Sequence, residues 1–462
     1  MNTGGEAVMF ARLMLVLLCA VSVTACAGTR KGTYASCRAG YEVSGPFNAD
    51  EDRRAGGIAD SSSVYLDLHG AVPPGNSTSL DNSISDRMER AKGNKRNYNA
   101  LLLSTGGAWG SYGAAFLREL AETGKLPAYD LVTGASTGSI IAPFAFIGDT
   151  KALKEADSIY AGLSDTGLVR KRGPFELIWS SSLYDTKGLQ KKIEDEIEEL
   201  DVVQRVIDRS MPGTADEGRV LAIATVNMDT GMVETYDLTA IAHSDLKHSE
   251  KERRFAEIIL ASTAIPLAFE PIYFDNGCMY LDAGLRQNLF MTSELVAANA
   301  RALGLWVNDS PSSFGGRNFR VQAAVGIISD EPEVRVALDM IVNGNGYVGT
   351  GPSGDTVVSK GLIPIARRSM NIVNDTATWA AVSRTREIAM LMNWKEIRYQ
   401  DAAQVSLSGL NKDAVFDPAM IAQLRAAGKQ AAGENEPWRT VPTSPDPGLA
   451  PFVRNDFVPP DG

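Results

Sequence analysis

The sequence predicts an α/β fold in three layers, a mostly parallel central sheet covered by helices on both faces. Two observations predict it. Segments of strand and helix character alternate along residues 97–438, and one of the strand-like runs passes through a tight glycine-flanked turn directly into an apolar helix. The length of 462 residues, with 44% hydrophobic and 22% charged residues, allows a large core and is the composition of an ordinary globular protein.

Taken in order, Asn99-Ala100-Leu101-Leu102-Leu103-Ser104 reads as the first buried strand and residues 114–120 as the first helix. Leu131-Val132-Thr133 is the second strand. Residues 188–206 form a charged amphipathic helix, 220–225 another buried strand and 255–260 another helix. Two later helices are expected at 357–372 and 378–394, with Trp379, Val382, Ile388, Met390 and Leu391 serving core packing or, alternatively, lipid contact. The glycine-rich stretch 343–349 is a plain loop or a lid.

Both ends differ in character. Arg12 precedes an apolar run that ends at Val23-Thr24-Ala25-Cys26, and that run is too short for the ~20 residues a bilayer span needs. Residues 1–25 therefore read as a signal peptide. Their resemblance to bacterial lipoprotein signals implies lipid attachment at Cys26 and a lipid-anchored place in the cell envelope, leaning to the outer membrane because Ala27 follows the cysteine. Residues 26–96 read as a flexible tether, with a possible edge strand at 63–68, and 439–462 as a proline-rich tail. Cys37 and Cys278 either pair or stay separate thiols. The net charge of −11 argues against a nucleic-acid partner and against charge-driven adhesion to anionic lipid.

The chemistry centres on Ser136, in Gly134-Ala135-Ser136-Thr137-Gly138 between the second strand and an apolar helix. Such an elbow strains the serine backbone, presents its hydroxyl and aims the following helix's unpaired N–H groups at a developing oxyanion. Further donors are available in Thr105-Gly106-Gly107-Ala108-Trp109-Gly110, where glycines let backbone N–H groups turn into a cavity. A base is harder to find. The three histidines, His69, His243 and His248, all precede Asp282, whereas a Ser-Asp-His hydrolase ordinarily places its histidine last. Asp282, at the end of Met279-Tyr280-Leu281, is a carboxylate able to serve directly if burial raises its pKa.

In this order, the glycine loop, the G-x-S-x-G elbow, Ala261-Ser262-Thr263-Ala264-Ile265-Pro266 and Tyr280-Leu281-Asp282-Ala283-Gly284 with Asn288 beyond resemble patatin-like phospholipases. Leu183-Tyr184-Asp185-Thr186-Lys187-Gly188 and Phe416-Asp417-Pro418 are also similar, so the likeness spans residues 99–438. It implies a patatin-like fold over 97–438 and a Ser136–Asp282 dyad without histidine. It also implies an oxyanion hole from Gly106, Gly107, Ala108 and Gly110, hydrolysis of lipid acyl esters, and no cofactor or metal. Two departures stand out. Ala108 and Trp109 replace the family's glycine and basic residue, and Ala283 stands where a glycine commonly follows the aspartate. They leave open a degenerate, non-catalytic lipoprotein that binds lipid or a partner.

Overall fold

The computed structural model describes residues 63–441 apart from 71–76, 95, 166–167, 174–181, 303–305, 312–316, 325–334, 345–360, 393, 395, 403–404 and 410–415. Strand β1 (Ser63–Gly70) and helix α1 (Ser77–Gly93) precede β2 (Tyr98–Leu103), which leads through the glycine loop into α2 (Gly110–Glu122). Strand β3 (Leu131–Ala135) passes into α3 (Thr137–Ile147) and then α4 (Thr150–Asp165). A ribbon of β4 (Arg170–Lys171) and β5 (Tyr184–Asp185) is followed by α5 (Lys187–Glu199) and α6 (Val202–Asp208). The hairpin β6 (Val220–Asn227) and β7 (Met232–Asp237) leads to α7 (Leu238–His243), α8 (His248–Thr263), β8 (Ile272–Tyr273) and β9 (Met279–Leu281). Helix α9 (Ser293–Ala302), β10 (Trp306–Pro311), β11 (Arg317–Ala324) and β12 (Val336–Val342) follow, then α10 (Leu362–Leu391), β13 (Glu396–Asp401), α11 (Pro418–Gly433) and β14 (Arg439–Thr440).

The central sheet runs β14-β13-β12-β2-β3-β6, with β13, β12, β2, β3 and β6 parallel and β14 antiparallel at one edge. Period-two alternation divides its residues between two cores. Leu101, Leu103, Val132, Leu221 and Ile223 pack against the side carrying α2, α3, α4, α5 and α8. Ala100, Leu102, Leu131, Ala135, Val220 and Ala222 pack against α1, α9 and α10. This is the expected three-layer arrangement, and it explains why the strands read as continuous apolar runs: both of their faces are covered. Helix α11 shows how local chemistry sets an element's start. Asp417 caps it by accepting the N–H groups of Ala419 (2.7 Å) and Met420 (3.2 Å), and Pro418 occupies the first turn, where its missing N–H costs nothing.

Several boundaries differ from the sequence reading. Helix α1 lies inside the segment read as a tether, yet Ile84, Met88 and Ala91 are in the core. Arg87 donates to the buried Asp130 at 2.6 Å, with Arg96 on the same carboxylate at 2.7 Å. The folded unit therefore starts before residue 97. Strand β1 is an edge strand, and it pairs with β11, beside β10, in an antiparallel sheet separate from the central one. Residues 187–208 break into two helices at Asp201, whose φ is 49°. The two helices expected after residue 357 are one continuous α10, with Val382 and Ile388 packed into the core. At the other end β14 pairs with β13 and Val441 is buried, so the domain includes the first residues assigned to the tail. The signal peptide, Cys26, Cys37, the glycine-rich stretch beyond Gly344 and the tail beyond Val441 lie outside the described residues. None of the helices among the described residues is long and apolar enough to cross a membrane.

Candidate active site

Ser136 stands at the turn between β3 and α3 with φ 51° and ψ −121°, a region that side-chain-bearing residues enter only under strain. The flanking glycines let strand and helix close on one another. A Cβ on Gly138 would fall 2.4 Å from the Leu103 carbonyl oxygen, and one on Gly134 would fall 2.6 Å from that of Gly138. The turn is then locked by hydrogen bonds. The Ser136 N–H donates to Ser262 Oγ (2.9 Å), and its carbonyl accepts from the N–H (2.8 Å) and the hydroxyl (2.5 Å) of Ser139.

Strand register brings Asp282 to this serine. Strand β7 covers one edge of β6 from Ala222 to Asn227, so β3 and β9 must share the other edge. Strand β3 runs parallel to β6 and ends at Ala135 opposite Ala224, while β9 runs antiparallel and ends at Leu281 opposite Val226. The two chains meet head to head at Thr225, and the next residue of each is Ser136 and Asp282. Ser136 Oγ donates to Asp282 Oδ2 at 2.5 Å. The other carboxylate oxygen accepts the Gly284 N–H at 2.7 Å, and the Asp282 N–H donates to the Ala264 carbonyl at 3.0 Å. Both side chains are buried, Ser136 at 4% and Asp282 at 5% exposure. Burial lifts the Asp282 pKa to about 6, opposed by the hydrogen bonds from Ser136 and Gly284.

The glycine loop lies beside the same turn. Gly106 and Gly107 have φ of 155° and 54°, and a Cβ on Gly106 would meet the Asn343 carbonyl oxygen at 1.9 Å. Among the described residues no partner engages the N–H groups of Gly106, Gly107 or Ala108. The Thr137 hydroxyl donates to the Gly107 carbonyl at 2.9 Å, tying the loop to the first residue of α3, and it also meets the Tyr160 hydroxyl. Gly110 differs from its three companions. Its N–H is already turned to the Gly107 and Ala108 carbonyls, so it is no free donor. What Gly110 supplies is clearance, since a Cβ there would fall 2.1 Å from Thr137 Oγ1. Ala108 keeps a backbone N–H in spite of its methyl group. Ala283 is absent from the positive-φ residues, so alanine fits that turn without strain.

His243 and His248 are engaged elsewhere. His243 Nε2 meets Ser210 Oγ at 2.9 Å, and burial lowers the His243 pKa. His248 Nε2 pairs with Asp201 (3.3 Å) and Glu252 (3.1 Å). This trio is the one His/carboxylate group among the described residues whose ligand atoms converge, and it is largely exposed and accounted for by ion pairing. His69 falls on β1, whose side chains are outside the described ones. Cys278 is buried and disulfide-bonded, so the reading of two separate thiols is not what the structure shows for it. Sequence reasoning did not single out Thr137 or Asn343, nor a role for Ser262. Ser262 lies within Ala261-Ser262-Thr263-Ala264-Ile265-Pro266, but nothing in its spacing announces that it holds the Ser136 N–H.

Residues 101–293 match the family model of patatin-like phospholipases. That segment is patatin-like. It contains Ser136, Asp282 and the glycine loop, and the match supports a lipid acyl hydrolase in general terms. Among solved structures the chain is similar to VipD from Legionella pneumophila, at 13% identity and a TM-score of 0.31, covering 73% of this chain and 66% of that one. The chain thus spans just under two thirds of the VipD chain. No curated protein matches.

Proposed function

We propose that the patatin-like domain hydrolyses carboxylic esters, with lipid acyl esters as the substrate class, through an acyl-Ser136 intermediate for which Asp282 is the base. The observation that carries this reading is the 2.5 Å hydrogen bond from Ser136 Oγ to a buried carboxylate whose pKa is raised to about 6. Above that pH Asp282 accepts the serine proton as Oγ bonds to the ester carbonyl carbon. The tetrahedral oxyanion is met by the free N–H groups of Gly106, Gly107 and Ala108 and by the N-terminus of α3. Asp282 then returns the proton to the departing alcohol, and the acyl-serine forms. A water attacks that ester in turn, giving its proton to Asp282 and releasing the acid, while Ser136 recovers its hydrogen.

Apolar exposure near the site supports a lipid acyl group. Leu267, at φ 65° and 62% exposed, lies on the turn whose Ala264 carbonyl holds Asp282. Ile372 (41%) and Val373 (56%) are exposed on α10 directly before Asn374, which bonds the Asn288 side chain. The N-terminal lipid anchor at Cys26, part of the same reading, would keep this cleft at an envelope membrane.

The test is product analysis against a panel of extracted envelope lipids and short-chain esters, comparing wild type with Ser136→Ala. Free fatty acid from wild type and none from the variant is the expected result. Absence of products from every lipid and ester, together with failure of a fluorophosphonate to label the protein, would favour the non-catalytic lipid-binding alternative.

A further inference from the structure

Asn288 is fully buried, follows the Asp282 turn and has no part in the proton transfers above. Three elements meet on it. Its carbonyl accepts the Thr105 N–H at 2.7 Å, where the glycine loop leaves β2. Its Nδ2 donates to α10, reaching the Asn374 carbonyl (2.5 Å), Asn374 Oδ1 (2.9 Å) and Thr378 Oγ1 (2.7 Å). A main-chain carbonyl can only accept, so this contact fixes which end of the amide is the NH2. The remaining oxygen, Oδ1, has no hydrogen-bond partner and turns toward Gly284. Asp282 Oδ1 and Asn288 Oδ1 stand 2.9 and 3.3 Å from the point where a Cβ on Gly284 would sit, and Asn374 Oδ1 stands at 3.0 Å. A neutral amide oxygen therefore shares the pocket of the carboxylate, and the same residue stitches the glycine loop to α10.

We propose that Asn288 is a positioning residue for the reacting pair, bracing the glycine loop, the Asp282 turn and α10 against one another through its carbonyl and its side-chain amide. The inference rests on the hydrolase reading above. Its physical content is twofold. Removal of the amide frees α10 from the turn, while the main-chain carbonyl keeps its bond to Thr105, so the base loses its bracing against α10 and with it its register with the oxyanion donors. Replacement of the amide by a carboxyl group keeps the shape, removes the donor to α10 and sets a second negative charge beside Asp282. The carboxyl of Asp282 responds to burial, the Ser136 hydroxyl and the Gly284 N–H. Charged side chains on adjoining elements are Arg286, which donates to the Gly231 carbonyl, and on α10 Asp375, raised to about 6 by burial, with Arg368 acting on it. None of these is among the causes of the Asp282 shift.

The experiment measures pH profiles of kcat and kcat/KM for wild type, Asn288→Ala, Asn288→Asp and Thr378→Ala on one soluble ester, with circular dichroism to establish folding. Asn288→Ala is expected to lose about tenfold in plateau kcat with KM nearly unchanged. In Asn288→Asp the acid limb of kcat/KM should rise by about one pH unit, because a nearby like charge disfavours ionisation of Asp282. Thr378→Ala, which trims one contact on α10 and adds no charge, should leave the limb in place. A folded Asn288→Ala with wild-type kcat, or an Asn288→Asp limb superposed on wild type, overturns the inference. Should one variant fail to fold, the other decides. Wild type without turnover or fluorophosphonate labelling would instead sink the hydrolase reading itself, so the two failures are distinguishable.

Discussion

Asp282 is the base of the proposed hydrolysis, and its burial has a thermodynamic signature separate from activity. Its pKa is higher folded, about 6, than the ordinary value near 3.9, so the folded state holds the proton more tightly than the unfolded chain. That contribution to stability is present below the unfolded pKa and is lost as pH rises through about 6. Asp282→Asn, which carries no charge to bury, should therefore be more stable than wild type at pH 8, by about 3 kcal/mol, with the gap closing by about pH 4. The same variant should lose ester turnover by at least about 100-fold, and the wild-type acid limb should fall near pH 6. Thermal melts and rate profiles on one pH series check both. The identity of this residue was legible in the sequence through its company in the chain. Its pKa was foreseeable only as a condition, because burial is a property of packing.

At the scale of elements, the strand–turn–helix around Ser136 was readable because glycine, short apolar runs and the elbow spacing act locally. The meeting of β3 and β9 was not readable. It depends on β9 pairing antiparallel on the same edge of β6 that β3 occupies, a long-range choice invisible to local periodicity. For the same reason Gly110 looked like an oxyanion donor, while the structure turns its N–H inward and uses its missing side chain. The closeness of α3 to β2 gives a sharp prediction. Gly138→Ala would place a methyl group 2.4 Å from the Leu103 carbonyl oxygen, so the helix must move off the sheet. We expect a destabilisation of about 2 kcal/mol or more by chemical denaturation, together with loss of activity from a displaced Ser136. A variant with unchanged stability and activity would contradict the packing described.

Among the described residues the two main cores lie on opposite faces of one sheet, and one of them reaches back into the segment before residue 97. Composition misled there, because glycine, serine and charge dominate residues 26–96 while three apolar side chains of α1 do the packing. Asp130 explains why the helix matters. It is 1% exposed and takes hydrogen bonds from Arg87, Arg96 and the Asn99 N–H, so it ties α1 to the start of β2. Arg87→Ala should destabilise the protein by about 3 kcal/mol, since a buried carboxylate loses a charged partner. A Tm within a degree of wild type would show that α1 is dispensable. The alternation of strands and helices, the three layers and the pairing of serine with aspartate were all within reach of the sequence. Domain limits, the continuity of α10 and the placement of β1 required tertiary contacts.

Intact-mass spectrometry after reaction with a fluorophosphonate tests the central claim most directly, because it reads the nucleophile and its base without any assumption about the natural lipid. The account predicts a single adduct on Ser136 in wild type and in a variant with His69, His243 and His248 all changed to alanine. It predicts no adduct in Ser136→Ala and labelling slowed about 100-fold or more in Asp282→Asn. Full labelling of Asp282→Asn at the wild-type rate, or loss of labelling in the histidine variant, would contradict it.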